Sequence, residues 1–416
     1  MTNKKSFTRR NLGRVAVAGA TLIGAPLPLR YGFAQSPANL KVALLLPTSG
    51  GQALIGQACK RGADVANAVL ADMKIDVKLE IVNYDTETKP DVARTQAEKA
   101  IEAGAHVLVG AFDSGQTISI AQVAEQRGVP LIVNIAAAPP ITESGYKFIV
   151  RNFPTAPMLI GGAFELHKEI FKASGTTPKT AVLLSLNDTF GTAMIGGIKA
   201  MFPKFNMPYE LVDVITYDAA AKDLSVEVAK AKATKADMLM PVCRLNDAKL
   251  MIQELVKQRW EPMAVMNPGS PGLYEQDFLK TMGKYGEFHI SNVPWLDPKS
   301  PMTASLEKQH AAKFPKDQLD INGGFTFEAM LIAAQAWVTA KSTHPNALME
   351  ALRRTKIDQH VIIGGPIQFD AKGQNVGIKA AAVQNLKRTP TVVMPKDSAA
   401  APLVFPEPGW NDKRRV

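Results

Sequence analysis

Short apolar runs that alternate with helix-length segments constrain this chain more than any other feature. Residues 42–46 are a continuous apolar run that ends at Pro47, Ser49 and Gly50, the mark of a buried strand running into a loop. Residues 56–71 then carry Ala58, Ala63, Val65, Ala66, Val69 and Leu70 at helical spacing. Strands are expected at 77–82, 106–109 and 129–133, with helices at 92–103, introduced by Pro90, and 116–127, stopped by Gly128. The rhythm restarts at 180–185 and continues through strands at 211–216, 238–241 and 263–266. Helices at 192–202, 224–233 and 248–258 separate them. Strands alternating with helices of this length form βαβ units and parallel sheets. Two such runs predict an α/β fold of two doubly wound parallel-sheet lobes. Residues 148–157 and 290–298, each with two prolines, are candidate crossovers between them. Further helices are expected at 302–314, 325–341 and 345–354, and a short strand at 367–370 with a turn at 371–373.

The first 34 residues read as an address. They are basic at the start, uncharged from Val15 to Leu29, and end with small residues at Gly32 and Ala34 before Gln35. That is the plan of a secretory signal. The adjacent Arg9 and Arg10 are those of a twin-arginine export signal. The uncharged stretch is broken by Pro26 and Pro28 and is too short to span a bilayer core of ~30 Å. An exported protein, periplasmic where there is an outer membrane and not inserted in the membrane after signal removal, is the expectation.

A net charge of +10 raises the question of nucleic acid, but its distribution argues against that partner. Six of the basic residues lie in the leader, leaving 42 basic against 38 acidic residues elsewhere. Lys413, Arg414 and Arg415 read as a solvated tail. The two cysteines, Cys59 and Cys243, exclude a disulfide framework and are expected as free buried thiols, with a catalytic thiolate at Cys243 the alternative. No cofactor is implied and no metal motif is present: the six histidines show no ligand spacing.

Several loops carry a resemblance. Lys41 to Gly50, followed by Gly56 and Arg61 to Ala63, resembles the opening of type I periplasmic binding proteins, above all the branched-chain amino-acid receptors of ABC importers. Tyr84 to Pro90, Val109 to Gly115, Gly128 to Ile132, Ala138 to Glu143, Asn187 to Gly191 and Gly364 to Gly373 resemble later signatures in the same order. The resemblance spans roughly residues 38–385. It implies a three-strand hinge between the lobes, with ligand clamped between strand-end loops and helix N-termini. The lobes are then expected as 38–154 plus 293–366 and 155–292 plus 367–405, with 406–416 a C-terminal tail. The same resemblance implies a small-molecule ligand, importer permease subunits as partners and a monomeric state.

The resemblance also points to ligand-binding residues. Ser114, beside Asp113, stands where the family's carboxylate-binding serine stands; capping the next helix is the competing role. Ile135 and Ala137 come after the fourth strand, and Ala137 replaces a common Thr or Ser. Ile55 and Phe190 fall where apolar or aromatic ligand contacts are common, Phe190 being equally suited to a core. Arg244, at the end of a buried strand, suits a carboxylate bidentately; a structural pair with Asp247 or Asp188 is its alternative. The acid that would hold an α-amine is missing near Asn267 to Ser270, where Ser270 is the polar candidate and Glu328 or Asp188 a possible replacement. The expected solute is therefore a small organic carboxylate, aromatic or branched, without an amine. A branched-chain or other hydrophobic amino acid is the alternative, and a sensing domain uncoupled from transport a further one. Metalloprotease, P-loop and serine-hydrolase motifs are absent, so no enzyme is expected.

Overall fold

The structure, a computed structural model, describes residues 39–416; the expected leader at 1–34 lies outside them. The first half is a five-stranded sheet in the order β2-β1-β3-β4-β5, parallel throughout. Its strands are β1 (Leu40–Leu46), β2 (Leu79–Asp85), β3 (Val107–Gly110), β4 (Leu131–Val133) and β5 (Ile149–Arg151). The helices between them are α1 (Ala53–Asp64), α2 (Ala66–Asp72), α3 (Pro90–Glu102), α4 (Ser114–Arg127) and α5 (Pro140–Glu143). The single helix expected over 56–71 is thus two, with Val65 between them at ψ −2°. Pro90 opens α3, and Gly128 closes α4 at φ 64°, a left-handed backbone that glycine adopts without steric cost.

The second half contains α6 (Ala156–Ser174), β6 (Thr180–Leu186), α7 (Thr189–Phe205), β7 (Glu210–Tyr217), α8 (Ser225–Ala233), β8 (Met238–Val242), α9 (Leu245–Lys257), β9 (Ala264–Asn267), α10 (Gln276–Met282) and β10 (Ile290–Val293). The chain then returns to the first half with α11 (Pro301–Lys313), α12 (Ile321–Ala340) and α13 (Pro345–Arg353), and a small ladder of β11 (Lys356–Ile357) and β12 (Ile367–Gln368). It ends in the second half with β13 (Ala381–Leu386) and β14 (Thr389–Met394). The second sheet runs β14-β13-β10-β9-β8-β6-β7. Its core is parallel, but β13 is antiparallel to both β10 and β14.

Three expectations need correction. Residues 290–293 are a strand of the second sheet, so the crossover there begins only at Pro294. Residues 367–375 belong with the first half: β12 pairs with β11, and Gln374 accepts a hydrogen bond from Arg151. The tail is not wholly solvated either. Arg415 is buried, donates to Glu407 and to the carbonyls of Pro408 and Glu287, and stacks 4.6 Å from the Trp410 ring.

Two buried charges fix how the halves are joined. Glu328, fully buried on α12, accepts from Asn152 Nδ2 (2.6 Å) and from the Val361 and Ile362 amides (3.0 and 3.1 Å). His360 Nδ1 lies 2.8 Å from the same carboxylate. Burial works against the charge on His360, but the hydrogen bond and negative charge of Glu328 raise its pKa overall. Asn152 lies on the first crossover and accepts from Asn375, near the third, at 2.8 Å. Val361 and Ile363 bond to Asp297 and Trp295 on the second (2.8 and 2.9 Å). One carboxylate thereby gathers all three crossovers.

Arg151, the last residue of β5, is fully buried, and among the described residues no carboxylate pairs with it. It donates instead to Gln374 Oε1 (2.7 Å), Ala136 O (3.1 Å), Ala138 O (2.7 Å) and Thr142 Oγ1 (2.6 Å). Burial pulls its pKa down to about 9 against the pull of Glu143 and Asp370. The guanidinium therefore shapes the loop after β4 from behind. Arg151→Met strands several buried acceptors and is expected to lower the unfolding free energy by about 3 kcal/mol or more, read by urea denaturation.

Both cysteines are free and buried. Burial pushes Cys59 up to about 12 and Cys243 well above its ordinary value. Neither thiol is expected to react with a thiol reagent at about pH 8 in the native protein, and both react after denaturation; a fast-reacting native thiol contradicts their placement.

Candidate functional site

The loops that leave the carboxyl ends of β3, β4, β6, β8 and β9 converge between the two halves. Three of them end in helix caps. Asp113 caps α4 by accepting the Gln116 amide at 3.1 Å, and Asp188 caps α7 by accepting that of Gly191 at 2.8 Å. Arg244 is the cap residue of α9, and its own amide is held by both oxygens of Asp247 at 3.1 and 3.0 Å. Helix N-termini carry partial positive charge, which suits the two aspartates and any other anion brought there.

The Arg244 guanidinium joins these three points. Its Nη2 lies 2.9 Å from Asp113 Oδ2, in the first half, and its Nη1 donates to Asp188 in the second. Gln52 adds a hydrogen bond to the same Asp113 oxygen at 3.1 Å. The face of the guanidinium stands 5.4 Å from the centroid of Phe190. Burial acts against its charge, but Asp188 and then Asp113 outweigh that and raise its pKa. The triad holds one cation and two carboxylates, bridging the halves.

Arg244 also stands between two cavities. On its outer side lies a polar mouth of about 560 Å³ lined by Gly51, Ile55, Asp188, Asp218, Lys222 and Asp247 among others. On its inner side lies a narrow cavity of about 30 Å³. Its wall is mostly apolar and includes four aromatic rings: Phe112, Phe153, Phe190 and Tyr274 stand with Ile135 and Ile321, and Ala136, Ala137, Gly269, Pro271, Val293, Pro294 and Asn322 complete it. Neither cavity is lined by histidine or cysteine, so neither presents an imidazole base or a thiolate. Among the described residues no group of three or more His, Cys, Asp or Glu is placed to hold a metal ion.

The residues singled out from the sequence fall in three places. Ile135, Ala137, Phe190 and Arg244 line the inner cavity, and Ile55 the outer mouth. Asp113 sits behind the guanidinium as its partner. Ser114 and Ser270 line neither cavity. The Ser114 hydroxyl accepts from the Ala138 amide at 3.3 Å. Ser270 Oγ accepts from the Cys243 amide at 3.2 Å and donates to Pro241 O at 3.3 Å, so it braces the loops after β8 and β9. Glu328 is taken up by the crossovers, away from the inner wall. Phe112, Phe153 and Tyr274 were missed. Each comes shortly after the end of a strand (β3, β5 and β9), and that position was the available signal. Phe112 also has φ 77°, a conformation rare for a bulky residue and here supported by its amide bond to Asn134 Oδ1 at 3.3 Å.

Comparison with known proteins agrees with this geometry. Residues 39–390 match the family model described as periplasmic binding protein. The chain is similar to a Leu/Ile/Val-binding protein homolog of Brucella suis, 23% identical over 398 residues, covering 92% of this chain and 98% of that one. It is similar to the Leu/Ile/Val-binding protein of Escherichia coli, 24% identical over 375 residues, covering 87% and 95%. Among solved structures, a solute-binding protein from Rhodopseudomonas palustris in complex with benzoate superposes with a TM-score of 0.71 at 20% identity, covering 90% of this chain and 98% of that one. A branched-chain amino-acid receptor from Streptococcus pneumoniae in complex with isoleucine gives 0.72 at 18% identity, covering 86% and 100%. With the family match running through both sheets and all three crossovers, the chain belongs to the periplasmic binding protein family.

Proposed function

We propose that this protein is the exported solute receptor of an ABC importer and that its inter-lobe cleft captures a small organic carboxylate with an aromatic or branched apolar body. The observation that carries this reading is the lining of the inner cavity, which at about 30 Å³ must widen to admit a solute: mostly apolar residues, four of them aromatic, beside a single guanidinium. An acid with an apolar body presents the same two halves. Arg244 would take the carboxylate, Phe190, Ile135 and Ala137 the body, and the solute would leave unchanged. The twin-arginine leader supports export to the periplasm, and among the described residues no helix is long and apolar enough to cross a membrane. Importer permease subunits are the partners this role requires, and one chain carries the whole site. Two Rhodopseudomonas palustris neighbours solved with benzoate and 3,4-dihydroxybenzoate fit the proposal.

One observation favours a second reading. The triad has a surplus carboxylate, so an ammonium beside Asp188 would be compensated even though Gly269 and Ser270 offer no acid. A hydrophobic amino acid is then the solute, as in the neighbour solved with isoleucine.

A thermal-shift and calorimetry series with benzoate, 4-methyl-2-oxopentanoate, leucine and isoleucine separates the two. At a hundredfold excess over Kd the correct class stabilises the fold by ~2.7 kcal/mol. Binding of leucine without its deaminated analogue defeats the organic-acid proposal. Arg244→Ala is expected to weaken binding of the best acid by about 2 kcal/mol or more, roughly thirtyfold. Asp188→Asn keeps the helix cap but removes one competing carboxylate. It should tighten binding of an acid by about 1 kcal/mol; weaker binding instead points to an ammonium.

A further inference from the structure

Behind the inner cavity the two halves meet again at the start of α10. Gln276 Oε1 accepts the Gln318 amide at 3.1 Å, which brings the start of α10 against the loop before α12. Beside this contact Glu275, from the second half, and Asp320, from the first, line one cavity of about 590 Å³. Asp320 is committed to α12, accepting the Asn322 and Gly323 amides at 3.0 and 3.1 Å. Glu275 is 6% exposed, and its Oε1 is buried with no hydrogen-bond partner among the described residues. An ionised oxygen so placed is costly, whereas the neutral acid is not.

Among the described residues Glu275 forms no ion pair, and only Lys249 lowers its pKa through charge. From α9, Asp247 adds negative charge, and Lys249 is paired with Asp277. From α1, Arg61 lies 3.5 Å from Asp317, while Cys59 is neutral. Lys316, Glu307 and Lys280 line the same cavity from the loop, α11 and α10. Burial first, and Asp320 next, push Glu275 up to about 8; burial raises Asp320 as well.

The structure assigns Glu275 as a proton-binding site at the lobe boundary: closure of the lobes takes up one proton there, and its loss drives the start of α10 away from Asp320. This site acts through the fold, whatever solute the cleft takes. As the lobes part, water reaches Glu275 and its pKa returns toward the ordinary 4.5. Below that value both forms hold the proton and closure is fully favoured. Between it and about 8 only the closed form holds it, so the preference for closure is lost as pH rises through that window.

Fluorescence energy transfer tests this without any ligand. Exposed Lys99 on α3 and Lys230 on α8 are replaced by labelled cysteine (Lys99→Cys, Lys230→Cys), the native thiols being buried. The closed-to-open ratio is expected to fall about tenfold per pH unit between about pH 6 and 8. Glu275→Gln should remove the slope, and Asp320→Asn, which keeps the cap, should move it to lower pH. A flat wild-type profile, or an unchanged slope in Glu275→Gln, overturns the assignment. Should the glutamine variant fail to fold, an unchanged midpoint in Asp320→Asn overturns it equally.

Discussion

A carboxylate with no access to water must be saturated by donors, and Glu328 obtains those donors from the segments that connect the halves of this protein. That requirement converts three separate chain crossings into one cluster. Asn152 reaches the carboxylate directly and Asn375 through Asn152, while the 360–363 segment carries the second crossing. A crossing that moved alone would leave the charge underserved. The cluster therefore favours concerted bending over independent slack, which is what a hinge between two rigid sheets needs.

Arg151 extends this order to the cleft. It binds the carbonyls of Ala136 and Ala138 with one nitrogen and Gln374 with another, so the inner wall and the third crossing share one cation. All four acceptors are neutral, so the positive charge stays uncompensated by a contacting carboxylate and burial lowers the pKa of the guanidinium. The polar work of the cleft is left to Arg244, where three helix N-termini meet.

Much of the fold was legible because parallel strands buried on both faces read as unbroken apolar runs, as β1 and β6 do. The failures have local causes. The 19-residue α6 was overlooked because Pro154, Thr155 and Pro157 read as a crossover, although Thr155 is its cap and Pro157 sits in its first turn, where proline is tolerated. The true start of α12 was hidden by Asn322, Gly323 and Gly324. The helix starts there against α1: a Cβ on Gly62 of α1 would lie 2.0 Å from Gly323 O, so the two helices cross backbone to backbone, and a Cβ on Gly324 would lie 2.5 Å from Leu296. β13 and β14 lack strong alternation; they form a hairpin about Lys387 and Arg388, and β13 joins the sheet through its pairing with the distant β10. In the cleft, the sequence placed the loops but not the direction of their side chains. Ser114 and Ser270 hydrogen-bond to backbone, while Phe112 and Tyr274 line the inner cavity. Arg415 shows the same limit, since its neighbours Lys413 and Arg414 are exposed while it is buried on Trp410.

Arg244 meets the solvent side of the cleft already neutralised. Asp113 and Asp188 are tethered acetates, held at their N-caps within bonding distance of the guanidinium, so their pairing is intramolecular. On the proposed reading of Arg244 as the carboxylate-binding group, the receptor thus contains its own competitor. Any free anion must outcompete a covalently attached one for the same guanidinium, and chloride or phosphate, which lack an apolar body, gain nothing from the inner wall to offset that exchange. On that reading some binding strength would be given up, and in return the cleft would discriminate against the commonest ions around it.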